Sequence, residues 1–271
     1  MRKVVHVSDL HFGQTDPVVL PALASLIREV NPDLIAVSGD LTQRARNTDF
    51  AAARDYLDSL AFPRVVVPGN HDVPLYNLFM RAFRPMTRYR KYFGAELAPF
   101  HADDEIAVVG INTARSMTFK DGRINRQQVE ATCRKLHSLH EDVTRIVVTH
   151  HPFEDKGSSD DLVGRASMAM AAFSGCRIDV ILSGHLHAGG TELSATRYDL
   201  EGYSALMIQA GTATSVRRRD EPNSFNILQI ERRRLAVEHW IWNDALGAFA
   251  ISSTERFEKT GGEWRSAAVS G

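Results

Sequence analysis

Val4-Val5-His6-Val7-Ser8-Asp9-Leu10-His11 is the stretch on which the reading of this chain turns. A short β-branched run, Val4–Val7, has the composition of a strand and ends on a polar Asp-x-His. The same grammar recurs. Leu34–Ser38 runs into Gly39-Asp40, Val65–Val67 into Gly69-Asn70-His71-Asp72, Ile146–Thr149 into His150-His151-Pro152, and Val180–Leu182 into Gly184-His185-Leu186-His187. Between the first three strands lie two amphipathic stretches, Pro17–Val30, with proline in its first turn, and Thr48–Leu60, with Asn47 or Thr48 as cap. A βαβαβ order calls for a parallel sheet with right-handed crossovers, whose strand ends face one edge. Residues far apart in sequence then converge there.

Further along the chain, Leu75–Phe93 reads as helix broken near Pro85, Ile106–Ile111 as a strand, and Asn125–Leu139 and Arg165–Phe173 as helices. The chain then turns β-rich, with strands at Ala205–Gln209, Ser224–Ile230, Leu235–Trp242 and Ala248–Ser252 and a hairpin turn at Glu231–Arg234. These elements predict an α/β fold of four layers, an α-β-β-α sandwich of two stacked mixed sheets flanked by helices. One domain over residues 1–258 is expected, with 259–271 a frayed tail.

Hydrophobic residues make up 44% and charged residues 24% of the chain, the balance of a globular domain with a buried core. Its 32 basic and 33 acidic residues nearly cancel, which argues against an extended nucleic-acid footprint. No run is long enough to span a membrane, and Asp9 and His11 interrupt the first apolar run before it reaches signal-peptide length. The cytoplasm is the expected compartment. The two cysteines, Cys133 and Cys176, lack CxxC spacing, so packed thiols are expected rather than a disulfide.

Asp9, His11, Asp40, Asn70, His150, His185 and His187 offer carboxylate oxygens, imidazole nitrogens and one amide oxygen, with no thiolate. That set suits Mn, Fe, Zn or Co. Seven donors exceed what one ordinary transition-metal site takes, whereas two ions sharing a bridging carboxylate use all of them. Two ions about 4 Å apart clamp a phosphoryl group and bring the pKa of bound water from about 15.7 to near 7, which makes hydroxide available to attack phosphorus. Gly39, Gly69 and Gly184 each precede a candidate ligand, where glycine allows a tight turn and close backbone approach. The two-residue spacing of Asp9 and His11 places both on one face of an extended chain.

The motifs D-x-H, G-D, G-N-H-D, a strand-end His and G-H-x-H, here DLH, GDLT, GNHD, THHP and GHLH, stand in the order of the calcineurin-like metallophosphoesterase superfamily, which the chain resembles over residues 9 to 187. The resemblance implies that Asp9, His11 and His187 hold one metal, that Asn70, His150 and His185 hold the other, and that Asp40 bridges them. His71 would lie by the substrate, stabilising charge or protonating the leaving oxygen, and Asp72 would orient His71 from behind. Within the superfamily the chain is most similar to bacterial class III cyclic-nucleotide phosphodiesterases and their glycerophosphodiesterase relatives, in the Arg88–Gly94 segment and in Ala210-Gly211-Thr212-Ala213. This implies a small phosphodiester substrate and, by analogy with relatives, a homo-oligomer contact over Leu75–Phe93.

Other readings bound this one. A phosphomonoesterase or nuclease would use the same metal pair. A non-catalytic scaffold of the same fold would have lost ligands, above all at the His71 position, and none is lost here. His6, His101, His137, His140 and His239 read as structural or exposed, and His151 as packing beside the site. Arg217-Arg218-Arg219 reads as a solvated loop or a phosphate clamp, and the polar segment 153–164 as a mobile loop or a rim over the site.

Overall fold

The computed structural model describes residues 1–75, 77–116, 121–153, 163–187, 189–216 and 221–267. The expected run of 217–219 and most of the 153–164 segment fall outside these residues.

Two sheets form the interior. The first contains seven strands in the order β13-β12-β11-β10-β1-β2-β3. Here β1 is Arg2–Val7, β2 Leu34–Ser38, β3 Arg64–Val67, β10 Ser224–Glu231, β11 Arg234–Asn243, β12 Ala248–Thr260 and β13 Glu263–Ser266. The second contains six, in the order β4-β5-β6-β7-β9-β8, with β4 at Phe100–Ala102, β5 at Ile106–Gly110, β6 at Thr144–Val148, β7 at Val180–Ser183, β8 at Gly190–Leu193 and β9 at Leu206–Gln209. Both sheets are mixed. β1, β2 and β3 pair in parallel, as do β5, β6, β7 and β9, and the remaining pairs are antiparallel.

Alternation decides which side chains fill which layer. Val4, Leu228, Val237, Val108, Ile146 and Ile208 point between the sheets into one apolar cluster. Val5, Val7, Ile35 and Ile227 face the opposite way, under α1 (Val19–Val30), α2 (Asn47–Leu60) and α4 (Thr87–Phe93). Val109, Val147 and Ile181 face α5 (Arg126–Leu136) and α6 (Ala166–Gly175). The expected four layers are present. The expected break near Pro85 separates α4 from the short α3 (Leu78–Phe83). α1 begins where Asp16 Oδ1 accepts from the amides of Val18 and Val19, at 2.8 and 3.2 Å. α5 begins at a capping box in which Asn125 and Gln128 bond each other's backbone amides.

Three features depart from the sequence reading. Within the stretch expected to fray from 259 onward, residues 259–267 finish β12 and carry an edge strand, because Trp264 is buried between the sheets and its indole donates to Asp179 at 3.0 Å, while 268–271 lie outside the described residues. Short edge strands also form at β4 and β8. Cys133 and Cys176, expected as separate packed thiols, are joined in a disulfide across α5 and the end of α6. No helix among the described residues is long and apolar enough to cross a membrane.

Candidate metal centre

The five motif segments meet at one edge, above the ends of the parallel strands. The loop after β1 is clipped to the loop after β2 by Asp9 N–H to Gly39 O, at 3.1 Å, and His11 N–H to Asp40 O, at 2.9 Å. The second sheet joins through His150, whose Nδ1 donates to Ser38 O at 2.8 Å, and through His185 N–H, which donates to Asp9 Oδ2 at 3.1 Å.

Side chains converge here by bending the backbone. Asp9, His11, Asp40, His185 and His187 all have positive φ, from 48° to 75°. Asp9 and His11 therefore do not share a face of extended chain, as their spacing led us to expect. Each is turned inward by a left-handed residue, a conformation that costs a non-glycine side chain about 1 kcal/mol or more. Two glycines make room. Gly39 has φ +93°, and a Cβ there would lie 2.6 Å from His150 Nδ1. At Gly69 a Cβ would collide with Asp40 Oδ1.

Asp9, His11 and His187 bring donor atoms within 4.8 Å of one another, as do Asp9, Asp40 and His150, and His11, Asp40 and His71. His11 Nε2 lies 3.4 Å from Asp9 Oδ1 and 3.9 Å from Asp40 Oδ2. On the other side, His150 Nε2 lies 3.5 Å from Asp40 Oδ1, 3.0 Å from Asn70 Oδ1 and 3.3 Å from His185 Nδ1. The two oxygens of Asp40 thus face two donor groups.

The donor chemistry fits cations. Asp9 Oδ1 and both ring nitrogens of His11 are buried without a hydrogen-bond partner among the described residues. Buried polar atoms are rarely left so, and a metal ion would satisfy Asp9 Oδ1 and one ring nitrogen of His11. His150 Nδ1 bonds a carbonyl and must carry the proton, which leaves the Nε2 lone pair facing Asn70 Oδ1, Asp40 Oδ1 and His185 Nδ1. His187 Nδ1 is held by Thr212 Oγ1.

Electrostatics follow from burial and crowding. Burial pushes the Asp9 carboxyl up, but His11, His187 and His150 outweigh it and hold it well below the usual carboxylate range. Asp40 is likewise lowered, burial being overcome by His150, His71 and His11. Burial and then His150 push His185 down to about 4. Burial, with the charge of Asp40 next, raises Asp72 to about 7.

The structure places Asp72 differently from the expectation that it orients His71. Its carboxylate accepts from the amides of Leu41, Thr42 and Gly69 and from Thr42 Oγ1, and so ties the two loops that present Asp40 and Asn70. The His71 ring is held instead by Gln43 O, which accepts from Nδ1 at 2.9 Å. His151 is buried, with Nδ1 2.8 Å from Thr113 Oγ1 and its ring centroid 4.7 Å from that of His185. Sequence reasoning did not find Ser38, Gln43 or Thr212. Two of these act through backbone carbonyls, which leave no mark on side-chain identity. Thr212 sits in the Gly211-Thr212 turn, which sequence reading marked only as a point of resemblance.

A four-layer α/β sandwich with an acid and histidine centre at the ends of its parallel strands is a metallophosphoesterase architecture. The chain belongs to the calcineurin-like phosphoesterase family, whose model matches residues 2–189. It is similar to the glycerophosphodiester phosphodiesterase GpdQ of Enterobacter lignolyticus, 29% identical over 94 residues that make up 31% of this chain and 33% of that protein. It is also similar to a probable cyclic nucleotide phosphodiesterase of a Synechococcus species, 30% identical over 81 residues, 26% of this chain and 31% of that one. The matched stretches thus span about a third of these relatives. In fold it resembles a purple acid phosphatase from yellow lupin, with a TM-score of 0.72 at 13% identity over 94% of this chain and 53% of that one. It also resembles a dimetal phosphatase from Danio rerio, with a TM-score of 0.63 at 12% identity over 88% and 95% of the two chains.

Proposed function

We propose that this protein is a dinuclear-metal phosphoesterase that hydrolyses a small phosphodiester of the cyclic-nucleotide or glycerophosphodiester kind. In this reading Asp9, His11 and His187 hold one ion, Asn70, His150 and His185 hold the other, and Asp40 bridges them. The bound ions supply the positive charge that phosphoryl oxygens need and lower the pKa of water. The chain's own residues do the rest. Ser38 O and Thr212 Oγ1 fix ring orientations so that lone pairs face the ions. Asp72 keeps the loops bearing Asp40 and Asn70 in register. His71, with Nδ1 committed to Gln43 O, turns its other ring nitrogen to the substrate side, where it stabilises charge on the phosphoryl group or gives a proton to the departing alcohol. The names of the relatives, a glycerophosphodiester and a probable cyclic nucleotide phosphodiesterase, support the diester preference.

The observation that carries the reading is the placement of Asp40, with one oxygen 3.9 Å from His11 and the other 3.5 Å from His150. Its test pairs metal analysis with kinetics on Asp40→Ala and His71→Ala. The first loses metal and turnover together, and the second keeps metal and loses turnover. Full activity in Asp40→Ala overturns the bridge. Faster hydrolysis of bis-p-nitrophenyl phosphate than of p-nitrophenyl phosphate supports the diester preference, and the reverse order replaces it with a monoesterase. Leu78, Phe79 and Phe83 on α3 are exposed, and we assign them to contact with a second copy of the chain. A monomer in sedimentation velocity at micromolar concentration removes that assignment.

A further inference from the structure

Cys133 and Cys176 are the only cysteines in the sequence, and the structure joins them with their Cα atoms 5.4 Å apart. Cys133 lies in the second half of α5, and Cys176 directly follows α6. Both are partly exposed. They line a surface cleft of about 450 Å³ whose other charged or titratable lining residues are Arg134, His137, Arg145 and Arg177, with no carboxylate among them. Arg145 is fixed beside the bridge, because its guanidinium donates to Cys176 O at 3.1 Å and to Leu139 O at 3.2 Å. None of these residues belongs to the metal centre.

We propose that the Cys133–Cys176 bridge is a thiol–disulfide exchange site selective for small anionic thiols, and that its state sets how firmly α5 is held to α6. An anionic thiolate entering a cleft lined by cations is concentrated there, and the sulfur that departs as a thiolate is stabilised by the same charges. The exchange runs in two steps. A thiolate attacks one bridge sulfur, a new S–S bond forms as the Cys133–Cys176 bond breaks, and the second cysteine leaves as a thiolate. A second thiolate then attacks the small thiol's own sulfur in the mixed disulfide, releasing a small-molecule disulfide and the first cysteine as a thiolate. Two electrons pass from two thiolates to the bridge, and water supplies the protons that the cysteines take up.

The mechanical consequence follows from where the bridge sits. The segments that lead into the two helices are already tied by Gly164 N–H to Gly122 O, at 2.8 Å, and Ile124 N–H to Gly164 O, at 3.1 Å. Apolar packing by Val129, Leu136, Ala169 and Phe173 holds the span between. The bridge closes the far end covalently, over a separation of 43 residues. Opening it leaves the fold in place and frees that end. The melting temperature then falls on the order of 10 °C.

The test uses the whole chain and a size-matched charge series: 2-mercaptoethanesulfonate, 2-mercaptoethanol and 2-aminoethanethiol. Exchange is quenched with iodoacetamide and the alkylated thiols are counted by mass spectrometry, with rates normalised to each reagent's thiolate fraction. The anionic thiol should react about tenfold faster than the cationic one at low salt, and the gap should close at 1 M salt. Arg134→Glu with Arg177→Glu, both at exposed positions, should reverse the order. Equal rates across the series, or an unchanged order in the double variant, overturn the selectivity. Two free thiols after equilibration with an oxidising glutathione buffer overturn the bridge itself. Oxidised and reduced proteins that melt within 1 °C of each other overturn the clamp.

Discussion

Between the sheets, Val4, Leu228, Val237 and Ile208 are fully buried, carry no polar atom and sit in regular strands. A few residues further along the parallel strands, Asp9, His11, Asp40 and His187 are almost as completely buried, yet they are polar and left-handed in backbone. The two regions meet on β1, which carries Val4 into the layer and ends at the loop that bears Asp9 and His11. In the layer every local preference agrees with the fold. At the edge, conformation, charge and hydrogen bonding are all compromised where the seven proposed donors come together. The layer supplies the stability against which that strain is held, and the buried carboxylates and unpartnered donor atoms that the strain brings together make a cation welcome there.

The largest effect is expected where the compromise is greatest. Asp40→Ala should lower turnover on the order of 10³-fold or more, since both donor groups lose their shared oxygen pair. The metal-free variant should still melt cooperatively, because the layer is untouched. Kinetics with calorimetry read both, and loss of cooperative melting means that the edge contributes to folding as the layer does. Leu228→Ala should invert the outcome. It should destabilise by about 2–5 kcal/mol in urea unfolding, with KM unchanged within about twofold below the transition. A changed KM with stability intact breaks the division between the two regions. Gly69→Ala lies between them. The added methyl drives into Asp40 Oδ1, so metal affinity should fall about 10–100-fold while stability falls less than in Leu228→Ala. Isothermal titration with Mn²⁺ measures this, and unaltered affinity means that Asp40 is not held where its role requires.

This contrast also governs how much the sequence discloses. The layer is legible because strand periodicity carries it, and so were the four layers and the helices. The edge is legible in composition, since histidines and aspartates after strand runs have no packing reason to be there. Its geometry was not legible. Nothing in Asp9-Leu10-His11 signals positive φ at both of these proposed ligands, and no side chain betrays that Gln43 O holds His71. Asp72 reads as a partner of its neighbour His71, yet it caps amides about thirty residues upstream, a contact that exists only once β2 and β3 lie side by side. β4, β8 and β13 were missed because edge strands need no two-faced alternation. The disulfide was missed because its cysteines meet only when α5 packs on α6.

The boundary between the regions is itself a set of residues. His6, Asn226 and His239 stand side by side across β1, β10 and β11. They share the face of Val4, Leu228 and Val237, so the apolar layer turns polar as it nears the edge. The hydrogen bonds fix how the row is protonated. Asn226 Nδ2 is a donor, so His6 Nδ1 accepts at 3.4 Å, and His6 Nε2 donates to Ser38 Oγ at 2.9 Å. Asn226 Oδ1 accepts from His239 Nδ1 at 2.8 Å, and His239 pairs with Glu255 at 3.0 Å. His6 is therefore held neutral. Burial, and then the nearby His239, push it down to about 3, against a weaker opposing pull from Asp9. Because the folded value lies below the unfolded one of about 6.5, the unfolded chain binds the extra proton first as pH falls. Stability from this group is fully present above pH 6.5 and declines down to about pH 3, by about 2 kcal/mol at pH 5. His6→Gln should remove that part of the acid slope while leaving stability at pH 8 lower by no more than about 1–2 kcal/mol. Urea midpoints from pH 8 to pH 4.5 on both proteins isolate the contribution, since every other titrating group is common to them. Parallel curves mean that His6 is charged in the folded state, and the polar edge then reaches deeper between the sheets than its hydrogen bonds indicate.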